Sequence, residues 1–287
     1  MRYERPETIM DATALLAQAS DSAFVLAGGT DLLVKMQNDD FEAELVVDIK
    51  SIAGMADVVE TDDSFVIGAA VPCAALGEHE ALCAAWPGVV EAANLIGSTQ
   101  IQGRCTVAGN LCNASPAADS VPALVAANAQ ARIAGPDGIR TVAVEDIPTG
   151  PGKTSLAKGE IIEAIVLAKP TDRSGDAYLR FIPRTEMDIA VVGVGVCLAL
   201  NDDGAVASVR VALGAVGPTV MLCPEAAETL VGTKLEDAAL EALAAACSAA
   251  STPIDDKRGT VDFRKQVAGV LARRAALIAF ERAGGSQ

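Results

Sequence analysis

The sequence predicts an α+β protein of two domains, and three observations predict it. The chain has 287 residues, whereas a single domain usually takes roughly 100–200. The composition changes at residues 169–176, where Pro170, Asp172, Ser174 and Gly175 suggest a linker. Beyond it stand two apolar strands and then two amphipathic helices, the pattern of an antiparallel sheet with helices packed on one face.

Before that linker the elements alternate. Residues 6–20 read as a helix with Ala12, Leu15, Leu16 and Ala19 on one face. Residues 24–27 form a short strand ending on Gly28 and Gly29, and residues 32–36 open a helix or turn. Residues 45–48 are a strand, and 57–60 and 65–68 form a hairpin around Asp62 and Asp63. Residues 72–86 and 87–96 read as helices separated by Pro87. Strands follow near 131–134 and 140–144, then a Gly- and Pro-rich loop at 148–153, then a strand at 161–167. In the second domain, strands 190–200 and 205–215 are joined by Asn201-Asp202-Asp203-Gly204, a strong hairpin signal. Helices are expected at 235–250 and 261–283.

Charge and cysteine usage exclude several function classes. A formal net charge of -16 opposes nucleic-acid binding, which needs a basic surface to displace counterions from phosphates. It equally opposes docking on anionic lipid. It leaves a phosphate-bearing cofactor open, because backbone N–H groups can hold a pyrophosphate without lysine or arginine. No apolar stretch follows the charged N-terminus, and no apolar run is long enough to span a bilayer, so a cytoplasmic protein is expected. The seven cysteines are scattered and form no C-x-x-C pair. A disulfide framework, a zinc site and an iron–sulfur cluster are therefore not expected in this chain.

Two segments carry candidate chemistry. In Ala27-Gly28-Gly29-Thr30-Asp31 a strand runs into two glycines. Without Cβ atoms the backbone can approach a ligand, and successive N–H groups can converge on an anion. Taken alone the motif also fits an ordinary tight turn, and no G-x-G-x-x-G fingerprint is present there. Residues 97–122 are rich in Gly, Ser, Thr, Asn and Pro and nearly free of charge, which marks a functional segment rather than a surface loop. Within it, Thr106-Val107-Ala108-Gly109-Asn110 offers backbone donors, Ser115 and Asp119 offer groups for sugar or ribityl hydroxyls, and Ser115-Pro116 is expected to start a helix aimed at the ligand. Neither segment brings a residue able to act on a substrate, so no catalytic residue and no metal ligand is expected.

Together these segments resemble the FAD-binding medium subunits of the molybdenum hydroxylases, which include carbon monoxide dehydrogenase and xanthine dehydrogenase. The likeness lies in Ala-Gly-Gly-Thr-Asp-Leu from residue 27 and in the Gly-Ser-x-Gln-Ile to Asn-Ala-Ser-Pro-Ala-Ala-Asp run from residue 97 to 119. Residues 184–190 resemble the start of the family's C-terminal domain. The resemblance covers nearly the whole chain. It implies an FAD-binding domain of two α/β subdomains, of the vanillyl-alcohol-oxidase-like (PCMH) type, over residues 1–173, and a small α+β C-terminal domain over 174–287. It implies non-covalent FAD, with the pyrophosphate on residues 27–31 and 106–110, Ser115 and Asp119 on the ribityl or ring side, and Ile162 and Arg180 near the isoalloxazine. It further implies a large subunit carrying the molybdenum cofactor, a small subunit carrying [2Fe-2S] clusters, and a dimer of heterotrimers. On this reading the chain passes electrons through FAD to an external acceptor. A self-contained flavin oxidase and a flavin-free scaffold are the competing readings. The sequence departs from the family pattern at Ala108, where glycine is frequent, and at Cys105.

Other residues invite over-reading. His79, the only histidine, is expected on an exposed helix between two acids, and alone it cannot build a metal site or a catalytic triad. Trp86 is expected to close a helix end, Cys105 and Cys112 to pack, and Glu160 and Glu163 to face solvent.

Overall fold

A computed structural model describes every residue except Asp39, Glu186 and Gln287. Glu186, part of the family-like segment at 184–190, lies outside the described residues.

The first unit contains β1 (Arg2–Glu4), α1 (Ile9–Gln18), β2 (Ala23–Leu26), α2 (Leu32–Gln37) and β3 (Leu45–Asp48). Its three strands are parallel in the order β1-β3-β2. Parallel neighbours require crossovers, and α1 and α2 supply them. The Gly28–Gly29 turn lies at the carboxyl end of β2, where open α/β sheets usually present ligand sites.

The second unit runs through β4 (Val58–Glu60), β5 (Ser64–Gly68), α3 (Cys73–Glu78), α4 (Glu80–Ala85), α5 (Pro87–Ala93), α6 (Thr99–Gln102), α7 (Val107–Cys112), α8 (Ser120–Ala126), β6 (Gln130–Gly135), β7 (Gly138–Ala143), β8 (Pro148–Gly150), β9 (Lys153–Thr154) and β10 (Ile161–Ala168). A five-stranded sheet of order β4-β5-β10-β6-β7 carries it, with antiparallel neighbours throughout. The two units share one hydrophobic core that includes Val47, Ile67, Leu76, Leu124 and Ile165.

The third unit has β11 (Ser174–Phe181), β12 (Val192–Leu200), β13 (Val206–Gly214), β14 (Met221–Leu222), α9 (Pro224–Glu228), α10 (Asp237–Ala250) and α11 (Val261–Arg282). Its antiparallel sheet has the order β11-β12-β13-β14. It has a separate core built on Val194, Leu213, Leu243 and Ala275.

Four expectations are corrected by this architecture. The helix expected over 72–86 breaks at His79, whose Nδ1 accepts from Leu82 N–H at 3.1 Å and so caps α4. His79 is half-buried and meets Phe65 edge-on, so it is a structural cap rather than a solvated surface residue. The expected linker at 169–176 is shorter, because β11 begins at Ser174. Asp176, which looked like linker polarity, is buried and accepts from the N–H groups of Gly88 and Val89 at 3.1 and 2.9 Å. The C-terminal sheet has four strands, and α8 of the second unit covers the face opposite α11. Gly195 permits that approach: a Cβ there would collide with the carbonyl of Pro122. Covering on both faces explains why β12 reads as a continuous apolar run rather than an alternating one. Finally, residues 97–122 form three short helices, not a long loop.

Candidate functional site

The first wall of the site is the turn between β2 and α2. Gly29 has φ +79°, a conformation that favours glycine. Gly28 is needed for a different reason, since a Cβ there would strike the carbonyl oxygen of Arg104. The two wall segments therefore touch through glycine backbone. Lys50 braces this turn from behind, donating to Ala27 O at 3.1 Å while paired with Asp48 at 2.8 Å. Among the described residues, the backbone N–H groups of Gly28, Gly29, Thr30 and Asp31 have no hydrogen-bond partner.

The second wall is the start of α7. Thr106 is its N-cap, and its Oγ1 accepts from Gly109 N–H at 2.9 Å. The N–H groups of Thr106, Val107 and Ala108 have no partner among the described residues, as expected for the first turn of a helix. Ala108 sits in that helix, so the alanine that replaces the family's frequent glycine needs no left-handed backbone. Asn113, the C-cap of α7, ties the walls together. It accepts from Lys35 Nζ at 2.7 Å and donates to Asp31 Oδ1 at 3.2 Å.

Between the walls runs a cleft of about 370 Å³, within the usual range for small-molecule sites. Ala27, Gly28, Gly29, Thr30, Asp31, Thr106, Ala108, Gly109, Asn110 and Ile162 all line it. Val107 is buried behind the wall. Two partnerless runs of N–H groups on facing walls form an anion-binding concavity with room for a ligand beyond it. That donor set fits a pyrophosphate-bearing cofactor such as FAD.

Comparison with known proteins agrees with this geometry. Residues 1–170 match the family described as "FAD binding domain in molybdopterin dehydrogenase", and residues 177–279 match "CO dehydrogenase flavoprotein C-terminal domain". The chain is 33% identical to the carbon monoxide dehydrogenase medium chain of Afipia carboxidovorans, over 95% of this chain and 94% of the relative. It is 31% identical to the putative xanthine dehydrogenase FAD-binding subunit of Escherichia coli, over 99% and 97%. A solved structure of reconstituted CO dehydrogenase from Oligotropha carboxidovorans superposes with a TM-score of 0.94 at 33% identity, covering 98% of both chains.

The chain belongs to the FAD-binding medium subunits of the molybdenum hydroxylases. Membership in this family makes it a subunit of an oxidoreductase, and another similar solved structure, at 30% identity, is a carbon monoxide dehydrogenase from Hydrogenophaga pseudoflava that lacks the Mo-pyranopterin moiety of its molybdenum cofactor. Among the described residues, no group of three or more His, Cys, Asp or Glu side chains could hold a metal ion. No described helix is long and apolar enough to cross a membrane.

Within this family member, the remaining sequence-predicted residues stand apart from the cleft lining. Ser115 does not start a helix. Its Oγ accepts from Ala117 N–H at 3.2 Å in a turn, and α8 begins only at Ser120 with Asp119 as N-cap. Asp119 instead meets Arg180 of β11 at 2.7 Å and Tyr178 at 3.3 Å, both nearly enclosed. Burial raises the Asp119 carboxyl above its ordinary pKa, and the Arg180 guanidinium pulls it back toward the charged form. Asn110 Oδ1 on the cleft wall accepts from Ser120 N and Oγ at 3.2 and 2.7 Å, so the ion pair stands directly behind the wall.

The cleft also contains residues that motif reading missed. Phe24 and Phe41 stack with centroids 4.2 Å apart, and both line the cleft, as do Lys35, Asn113, Leu156 and Glu160. Glu160 is not solvated as expected. It pairs with Arg140 on the edge strand β7, which holds its carboxyl below the usual range. Glu163 likewise pairs with Arg132 at 2.8 Å. Only the phenylalanines gave a usable signal, because aromatic residues are 3% of the chain and two of them stand on either side of the Gly28–Gly29 turn and α2.

Proposed function

We propose that this chain holds one non-covalent FAD in the cleft between residues 27–31 and 106–110 and serves as an electron-transfer subunit. Substrate is oxidised at the molybdenum cofactor of a large partner. Electrons cross the [2Fe-2S] clusters of a small partner and leave through this chain to an external acceptor. The assembly is a dimer of heterotrimers in the cytoplasm. The observation that carries the reading is the pair of N–H runs on facing walls, at Gly28–Asp31 and Thr106–Ala108, without partners among the described residues. The names of the relatives, a medium chain and an FAD-binding subunit, support the division of labour.

FAD supplies the chemistry, taking electrons from one-electron donors and delivering them singly or in pairs. The protein's part is placement. The N–H groups of residues 28–31 and 106–108 hold the pyrophosphate charge, and Lys35 is the one lysine or arginine on the described lining. Ile162, nearly buried on β10, gives the flavin ring an apolar support. Ser115 and Asp119 serve the ribityl or ring side and Arg180 the isoalloxazine; Asp119 and Arg180 are paired with each other, next to Ser120, which donates to Asn110 of the wall. Domain limits of 1–173 and 174–287 accompany this assignment.

Gly109→Leu tests it. Gly109 lines the cleft within α7, so a leucine keeps helical propensity while filling the site. The expected result is a folded, colourless chain beside a yellow wild type that releases FAD on denaturation. A colourless wild type that takes up no added FAD would sink the reading, and so would a Gly109→Leu variant with full flavin.

A further inference from the structure

Cys73 and Cys105 form a pair that flavin binding leaves unused. Cys73 is the first residue of α3, and Cys105 precedes the Thr106 cap of α7. Cys73 N–H donates to Cys105 O at 2.8 Å. A direct backbone bond of that kind holds the two Cα atoms within the span of roughly 4.4–6.8 Å that a disulfide bridges. Both side chains are free thiols. That backbone bond sets the two side chains on adjoining backbone, at the start of α3 and just before the α7 cap, close enough for each thiol to shift the other's titration, Cys73 upward and Cys105 downward. Both are buried, Cys73 at 0% and Cys105 at 3% exposure, and of the two Cys105 lines the cleft.

The thiols differ in readiness to react. The neighbouring Cys73 thiol lowers the Cys105 pKa, against burial and the charge of Asp31, which raise it. Burial instead pushes Cys112, Cys197 and Cys247 up to about 12 and Cys223 up to about 11. The thiolate is the nucleophile, so Cys105, which lines the cleft, is the reactive member.

We propose that Cys73 and Cys105 are a thiol-oxidation site in the cleft wall, converted to a disulfide by hydrogen peroxide or another hydroperoxide. The Cys105 thiolate attacks one peroxide oxygen, the O–O bond breaks, and Cys105 becomes a sulfenic acid as hydroxide leaves. The Cys73 sulfur then attacks the sulfenic sulfur, the S–O bond breaks and water leaves with the Cys73 proton. In sum, two thiols and one hydrogen peroxide give one disulfide and two waters. The sulfurs lose two electrons and the peroxide gains them.

Position links this site to the cofactor. The carbonyl of Arg104 and the Cα of Cys105 are the surface on which Gly28 rests. A disulfide pins that surface to α3 and alters the fit of the two walls. Bound FAD, in turn, covers Cys105. This coupling rests on the flavin assignment; the disulfide chemistry does not.

The test uses the full chain, stripped of FAD or loaded with it, exposed to graded hydrogen peroxide. Thiols are then counted and the bridged peptides mapped without reduction. In the stripped protein the seven thiols should fall by two, a Cys73–Cys105 peptide should appear, and dithiothreitol should reverse both. FAD affinity of the oxidised form should drop by roughly tenfold or more, and loaded protein should oxidise more slowly. In Cys73→Ser, dimedone should trap a sulfenic acid at Cys105 and no bridge should form. Oxidation that bypasses this pair in wild-type protein overturns the proposal, whether or not the variant folds. A mapped bridge with unchanged FAD affinity overturns the coupling. Failure of reduced wild type to take up FAD overturns the flavin assignment and leaves the bridge mapping to stand or fall by itself.

Discussion

The cleft and the Asp119–Arg180 joint behind it use opposite means. The cleft exists because side chains are missing: Gly28 lets a carbonyl approach, and N–H groups on its two walls have no partner among the described residues. The joint exists because side chains are present, with a carboxylate, a guanidinium and a phenol packed where β11 meets α8. The difference teaches that neighbours within one sequence motif can serve separate tasks. Asn110 faces the ligand space, while Asp119, nine positions later in the same run, holds two units together.

The sharpest way to break this comparison is Arg180→Ala. It leaves the Asp119 carboxylate buried without its partner, which should cost about 3–5 kcal/mol. Denaturant midpoints measure it, and wild-type stability would mean the pair is not a joint at all.

Asp176, the other buried carboxylate where the units meet, sharpens the picture through pH. Burial raises its pKa to about 6; the N–H groups of Gly88 and Val89 and the charge of Arg282 oppose that rise, and Glu91 adds to it. Unfolded, it titrates near its ordinary value of 3.8. The folded state thus holds the extra proton between those values. Its contribution to stability is full below the lower value and is lost as pH rises through about 6. The shift corresponds to about 3 kcal/mol at most. Thermal unfolding of wild type and Asp176→Asn from pH 4 to 7 should show their difference changing with this sign; a flat difference removes Asp176 from the account.

Gly28→Ala attacks the cleft in the same spirit. Its methyl group has nowhere to go beside Arg104 O, so a loss of about 1–3 kcal/mol is expected from overpacking, together with poor flavin retention. Flavin retained at wild-type level with unchanged melting would show that the walls need not touch. The smallest effect belongs to the cap. Thr106→Ala should cost about 1 kcal/mol, and Thr106→Ser should recover most of it, since a serine hydroxyl can still accept from Gly109 N–H.

Much of this was legible in the primary structure, for local reasons. The Asp62–Asp63 turn marked the β4–β5 hairpin, short apolar runs marked β6 and β10, and the Asn201–Gly204 turn marked the β12–β13 hairpin. The Gly28–Gly29 pair and the uncharged run around Gly109 stand out within a few residues, so both walls of the cleft could be located directly, though not the helix that Thr106 caps. His79 was misread because a cap and an exposed helical position look alike until the chain direction changes. Asp176 was misread because polarity signals a linker unless a helix N-terminus waits for it across the fold.

By itself, then, the sequence determined the family, the two glycine-bearing walls and most elements, because those depend on near neighbours along the chain. Only the tertiary structure decided that Asp119 and Arg180, 61 positions apart, neutralise each other. It alone brought Phe24 against Phe41, Lys35 to Asn113 and Cys73 to Cys105. Such pairings depend on strand register and on which face of each helix is buried, and those are settled only when the whole core closes.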